Sequence, residues 1–132
     1  MNLEGNIQIS YPKSTANPFG EPLPKQHEFH TLDKKYKCFF GGFGSAKSSA
    51  LAMEILINAF MYPNNFMLLA RKYLSEVKTT TLKELLLICP PDVISDHNKS
   101  ERIITFINGS QLYYTGADAD SYEKLRSLNL GF

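Results

Sequence analysis

The side chains with the clearest capacity for chemistry fall in one continuous run, Gly41-Gly42-Phe43-Gly44-Ser45-Ala46-Lys47-Ser48. Its spacing matches a phosphate-binding loop, which reads Gly, four residues, then Gly-Lys-Ser or Gly-Lys-Thr. Gly41 opens the pattern, and Lys47 and Ser48 close it. Ala46 stands where such a loop usually has its second glycine.

Each residue type in this run suits the binding of a triphosphate. Small residues let consecutive backbone N–H groups curl around phosphate oxygens. We expect the Lys47 ammonium to reach the β- and γ-phosphates and the Ser48 hydroxyl to ligate Mg²⁺. A helix that continues through Ser49 directs the positive end of its dipole at the anion. The sequence therefore predicts a nucleotide and magnesium site along residues 41–49.

The segments on either side of the loop fit this interpretation. Residues 36–40 are aromatic and extended in character, which is typical of a buried strand. Residues 49–61 are apolar almost all round, which indicates a helix packed inside a domain. The alternative is an ordinary turn beside an incidental lysine. If the backbone at Ala46 has positive φ, alanine there costs about 1 kcal/mol.

Further elements are expected on both sides of this unit. Residues 26–32 suit a short helix, and residues 66–70 suit a strand of parallel-sheet character that ends at Arg71. Apolar residues keep helical spacing from 73 to 89, although the threonines at 79–81 favour a split helix.

The second half of the chain contains a hairpin signal. Residues 102–107 and 111–115 are β-rich runs on either side of Asn108-Gly109, and both turn residues accept positive φ. A short helix is expected within residues 118–128.

Composition excludes several classes of protein. The chain has 132 residues, 43% of them hydrophobic, as expected for one globular domain, and its net charge of +1 gives no sign of a nucleic-acid partner. Prolines mark residues 1–24 as an extended arm. No signal peptide or membrane-spanning segment is recognised, which predicts a cytoplasmic protein.

The cysteines and histidines give no sign of a metal site. Cys38 and Cys89 lie in apolar surroundings and are expected to be buried, reduced thiols. His27, His30 and His97 lack metal-ligand spacing, so we expect ordinary surface histidines.

The order of several motifs resembles the large terminase subunit of tailed bacteriophages. The resemblance spans about residue 24 to the end of the chain, and beyond the loop it depends on Leu69-Ala70-Arg71-Lys72, Asn108-Gly109-Ser110, Gly116-Ala117-Asp118 and Lys124-Leu125-Arg126-Ser127-Leu128.

The resemblance implies a fold and an activity. It implies an α/β P-loop NTPase of the additional-strand class, with a mostly parallel sheet, flanking helices and an antiparallel hairpin. Residues 25–132 would be the N-terminal portion of the ATPase domain that uses ATP to drive DNA into the capsid.

The resemblance also assigns roles to three residues outside the loop. Gln26 matches a glutamine that contacts adenine, and Arg71 matches an arginine after the second strand. Arg126 matches an arginine before the acidic motif, and we expect it to act in trans on the γ-phosphate. A structural ion pair at Arg71 and a solvated helix residue at Arg126 stay open as alternatives.

The implied partners are double-stranded viral DNA bound without sequence preference, the portal protein, the small terminase subunit and further copies in a ring. The family's acidic motif is expected after Phe132, so we expect little hydrolysis from these 132 residues alone. Two alternatives stay open, which are a helicase-like P-loop motor and a truncated, non-catalytic prophage remnant or assembly module.

Overall fold

The computed structural model of the chain describes residues 2–3, 7–11, 13, 15, 17, 20–42 and 46–117. The expected helix at 118–128 therefore lies outside the described residues. The described residues form four α-helices and two β-sheets, whose elements are given below in chain order.

The helices follow the periodicity of the sequence closely. Helix α1 spans Pro24–Thr31 and α2 spans Lys47–Met61. The expected split helix is confirmed, because α3 (Leu74–Thr79) and α4 (Thr81–Ile88) are separated by Thr80. Thr80 has φ −118° and ψ −92°, which lies outside the helical region.

Two sheets are present in the described part of the chain. Strands β1 (Asn2–Leu3) and β2 (Ile7–Gln8) form a short antiparallel pair. A larger sheet has the order β3-β6-β5-β4. Its strands are as follows: β3 Phe66–Arg71, β4 Ile94–Asn98, β5 Ile103–Phe106 and β6 Gln111–Gly116.

The expectation of a mostly parallel sheet is wrong for the described strands. Only β3 and β6 pair in parallel, whereas β5 pairs antiparallel with both β6 and β4. Strand β4 was not expected, because a run with four polar residues after Ile94 lacks apolar alternation. It forms as the partner of β5 at the edge of the sheet.

The strand expected at residues 36–40 is also wrong, since this segment has no strand pairing. Tyr36 is 84% exposed and Phe40 is 89% exposed. Strand composition alone does not create a strand, because the backbone needs a neighbouring strand with free N–H and C=O groups.

The hairpin around Asn108-Gly109 is confirmed. Phe106 accepts a backbone hydrogen bond from Gly109 and donates one to Ser110, with donor–acceptor distances of 3.0 and 2.8 Å. Gly109 has φ +86°, and this three-residue loop with a left-handed glycine is a common hairpin connection. The hydroxyl of Ser110 lies 2.8 Å from the carbonyl oxygen of Ala59, which ties the hairpin to α2.

The core lies between α2 and the larger sheet. Phe60 of α2 meets Phe106 of β5 edge to face, with ring centroids 5.6 Å apart. Helix α4 packs on the same cluster, and Ile9 and Tyr11 of the N-terminal segment are buried in it. The result is a mixed α/β arrangement in which one side of α2 is buried against the sheet and α4.

Candidate functional site

The lysine of the predicted loop lies at the first position of α2. Lys47 Nζ donates hydrogen bonds to the carbonyl oxygens of Gly41 at 2.5 Å and Gly42 at 2.7 Å. The ammonium group therefore reaches back over the start of the loop. Phe43, Gly44 and Ser45 lie outside the described residues.

The backbone at Ala46 has a conformation that favours glycine over alanine. It precedes α2 with φ 57° and ψ 31°, in the left-handed region. An L-residue with a Cβ loses about 1–2 kcal/mol there relative to glycine. The Ala46 carbonyl nevertheless accepts the first helical hydrogen bond, from the amide of Ala50 at 3.0 Å. The helix after the loop thus begins correctly despite the missing glycine.

Gly42 is not crowded by any residue that the structure describes. A Cβ placed on Gly42 would meet no described atom within 4 Å, and its φ is not positive. Neither packing nor backbone conformation in the described residues therefore requires glycine at this position. The absence of a side chain leaves room for a ligand to approach the main chain beside the Lys47 ammonium.

Gln26 joins α1 to the start of α2. Its side chain is almost fully buried, and Oε1 accepts a hydrogen bond from the Leu23 amide at 2.8 Å. Its Nε2 donates to the carbonyl oxygen of Ala46 at 3.3 Å. The structure therefore places this residue directly beside the loop, in contact with the residue that starts the helix.

The two serines after Lys47 have different surroundings. Ser48 is half-buried in the first turn of α2. Ser49 Oγ donates a hydrogen bond to Glu84 Oε2 at 2.9 Å. A carboxylate from α4 therefore reaches the first turn of the helix that follows the loop.

Arg71 ends β3 and has local partners. Its Nη1 donates to Thr80 Oγ1 at 2.7 Å, and its Nε lies 4.0 Å from a carboxylate oxygen of Glu76. These contacts match the structural ion-pair alternative. Arg126 lies outside the described residues.

A buried polar network was missed by sequence reasoning. Glu54 of α2 accepts hydrogen bonds from His30 Nδ1 at 2.6 Å and from Lys37 Nζ at 2.7 Å. His30 Nε2 in turn accepts from the hydroxyl of Tyr11. The network connects the N-terminal segment, α1, the segment before the loop and α2.

The network corrects the expectation that His30 is a surface histidine, because its side chain is only 5% exposed. Burial by itself raises the pKa of the Glu54 carboxyl, but the hydrogen bonds from His30 and Lys37 outweigh it and hold the pKa below its usual range. Burial raises the pKa of the Tyr11 hydroxyl. The sequence feature that could have indicated this buried network is the single glutamate within the apolar run of α2.

The cysteines are both free, as expected, but only Cys89 is buried. Burial raises the pKa of its thiol to about 12. The expectation that Cys38 is buried is wrong, since it lies in the exposed segment before the loop. The described residues contain no cluster of His, Cys, Asp and Glu that fits a metal ion.

Taken together, the described residues form a mixed α/β protein whose central helix begins at a lysine folded back over a glycine pair. The model of the phage terminase large subunit family matches residues 33–131, which is more than half of the chain. The chain belongs to this family. Comparison with curated proteins and with solved structures gave no match. Within the described residues, the helices are too short or too polar to cross a bilayer.

Proposed function

We propose that this chain is the nucleotide-binding part of the ATP-driven motor in a phage terminase large subunit. The observation that carries the proposal is the position of Lys47, whose ammonium lies over Gly41 and Gly42 at the start of α2. Membership of the terminase family supports ATP as the nucleotide. The fold would be a P-loop NTPase of the additional-strand class.

The contacts of Lys47 suit a residue that exchanges partners. The carbonyl groups of Gly41 and Gly42, which accept hydrogen bonds from its ammonium, are neutral. A phosphate oxygen carries negative charge and therefore attracts an ammonium group more strongly than a neutral carbonyl oxygen does. A triphosphate in the open space beside Gly42 would therefore compete effectively for the Lys47 ammonium. Backbone amides along residues 41–49 would supply the remaining donors.

The donor chemistry at the start of α2 fits Mg²⁺. Ser48 offers a hydroxyl oxygen one residue after Lys47, as this hard cation prefers. When bound, Mg²⁺ would neutralise charge on the β- and γ-phosphates. Ser48 would hold it on the helix side, and carboxylates of the family's acidic motif would complete the site.

Three side chains outside the loop have proposed roles in nucleotide binding or hydrolysis. Gln26 is proposed to contact adenine, which requires nucleotide binding to expose a side-chain amide that is buried against Ala46 in this structure. Arg71 lies at the carboxyl end of a strand in a parallel pair, the edge at which α/β proteins bind ligands. Arg126 is proposed to stabilise the transferred phosphoryl group of a neighbouring subunit.

The complete motor would be a ring of identical subunits in the cytoplasm of the bacterial host. It would bind the portal protein and the small terminase subunit and translocate double-stranded viral DNA through contacts with its phosphates. Membership of the terminase family favours this motor over a helicase-like one. The strained Ala46 favours a second candidate, a module that binds nucleotide weakly without turnover.

Titration with a fluorescent ATP analogue in the presence of Mg²⁺ tests nucleotide binding. We expect Lys47→Ala to weaken binding at least about tenfold, because a charge-assisted contact to phosphate is lost. Lys83→Ala removes an exposed lysine from α4 and is the matched control. Equal affinity for wild type and Lys47→Ala would rule out the proposed phosphate loop. Release of inorganic phosphate from ATP, measured on the complete protein, separates the motor from the non-catalytic module.

A further inference from the structure

The carboxylate of Glu84 contacts the first turn of α2 from a different helix. Its Oε2 accepts the hydrogen bond from Ser49 Oγ at 2.9 Å. Ser49 follows Ser48 directly and lies two residues after Lys47. The first turn of a helix has unpaired backbone N–H groups and frays readily. A contact from a separate helix at this point restricts the backbone that presents Lys47 and Ser48.

Glu84 is also connected to the end of β3. Its backbone N–H donates to the carbonyl oxygen of Thr80 at 3.0 Å. The Thr80 side chain accepts the hydrogen bond from Arg71 at 2.7 Å. A series of hydrogen bonds therefore runs from Arg71 through Thr80 and Glu84 to Ser49. It joins the carboxyl end of β3 to the helix start that follows the loop.

The attachment of α4 to the core does not depend on Glu84. Leu82, Leu85 and Ile88 of the same helix are buried against the core, whereas Glu84 is only half-buried. Loss of the Glu84 carboxylate should therefore leave α4 packed. The effect of this loss should be confined to the first turn of α2, where Ser49 lies.

We infer that Glu84 is a positioning residue of the phosphate loop, which holds the first turn of α2 through Ser49 so that Lys47 and Ser48 face the triphosphate. The inference rests on the proposed nucleotide site. Glu84 acts through a hydrogen bond and not through its charge, because a carboxylate close to a bound triphosphate is electrostatically unfavourable. A neutral acceptor of the same shape should therefore replace it.

The first test is hydrogen exchange at the amide of Ala50, whose bond to Ala46 closes the first turn of α2. Glu84→Ala and Ser49→Ala should each speed this exchange about tenfold, which lies within the range for the loss of one ordinary hydrogen bond. The double variant should exchange no faster than either single variant, because both remove the same contact. Glu84→Gln should stay within about twofold of wild type, as should the control Glu101→Ala, which removes an exposed carboxylate from the turn between β4 and β5.

The second test is titration of the same variants with the fluorescent ATP analogue. Glu84→Ala should weaken binding roughly fivefold to tenfold, and Glu84→Gln should bind at least as tightly as wild type. Unchanged exchange at Ala50 in Glu84→Ala, or a Glu84→Gln variant as impaired as Glu84→Ala, would overturn the inference. If exchange responds as expected but wild type binds no nucleotide, the proposed function fails while the helix contact stands.

Discussion

Gln26 donates a hydrogen bond to the carbonyl oxygen of Ala46, the residue whose left-handed backbone starts α2. The donor lies in α1 and the acceptor in the loop twenty residues later. This contact fixes the loop against a buried part of the protein, because the Gln26 side chain is only 2% exposed.

Replacement of Gln26 by alanine should destabilise the protein. The change removes the contact to Ala46 and the acceptor of the Leu23 amide. We expect a loss of about 1–3 kcal/mol in the free energy of unfolding, as is typical when buried hydrogen-bonding groups lose a partner. Urea denaturation measures it, with the exposed Lys25→Ala as control. A loss no larger than that of Lys25→Ala would show that the contact contributes little.

Ala46→Gly should stabilise the chain. Glycine removes the Cβ penalty at φ 57°, although its greater freedom in the unfolded state offsets part of the gain. The expected net increase is about 0.5–1 kcal/mol in the free energy of unfolding. Ala50→Gly, a buried position inside α2, should have the opposite sign. Thermal denaturation of both variants measures these opposite changes in stability. A destabilised Ala46→Gly variant would contradict the left-handed backbone conformation at this position.

Acid should weaken the network around Glu54. The pKa of this carboxyl lies below its ordinary value of 4.5, so its contribution to stability is complete above that pH and is lost as the pH falls below it. Glu54→Gln should therefore lose more stability relative to wild type at about pH 7 than at about pH 3. Urea denaturation at both pH values measures this, with the exposed Glu28→Gln as control. An equal effect at both would contradict the lowered pKa.

Ser110→Ala should loosen the hairpin from α2. The Ser110 hydroxyl is fully buried and donates a hydrogen bond to the carbonyl oxygen of Ala59. Its removal therefore takes one hydrogen-bond donor away from a buried carbonyl group. We expect a loss of about 1–3 kcal/mol in the free energy of unfolding. Ser95→Ala removes an exposed hydroxyl from β4 and should change stability by under about 0.5 kcal/mol. Similar losses in the two variants would show that the Ser110 contact is not special.

Elements set by local pattern were predictable from the sequence. The apolar run after Lys47 gave α2, the threonines at 79–81 gave the break at Thr80, and Asn108-Gly109 gave the hairpin. In each case neighbouring residues determine the backbone through side-chain period or turn conformation.

Features that depend on distant partners were not predictable. The aromatic segment at 36–40 has strand composition but no pairing strand, whereas β4 has polar composition and pairs through its backbone with β5. His30 is buried because Glu54, twenty-four residues later, faces it. The candidate site likewise has features that the local sequence predicts and features that depend on distant residues. Its loop residues follow from spacing, but the contacts from Gln26 and Glu84 required the structure.

The most direct test of the central claim is a crystal structure with Mg²⁺ and a non-hydrolysable ATP analogue. The account predicts that the triphosphate occupies the space beside Gly42, that the amides of residues 41–48 surround it, and that Lys47 Nζ contacts phosphate oxygens. A structure in which the analogue binds elsewhere, with the Lys47 ammonium still on the carbonyl oxygens of Gly41 and Gly42, would contradict it.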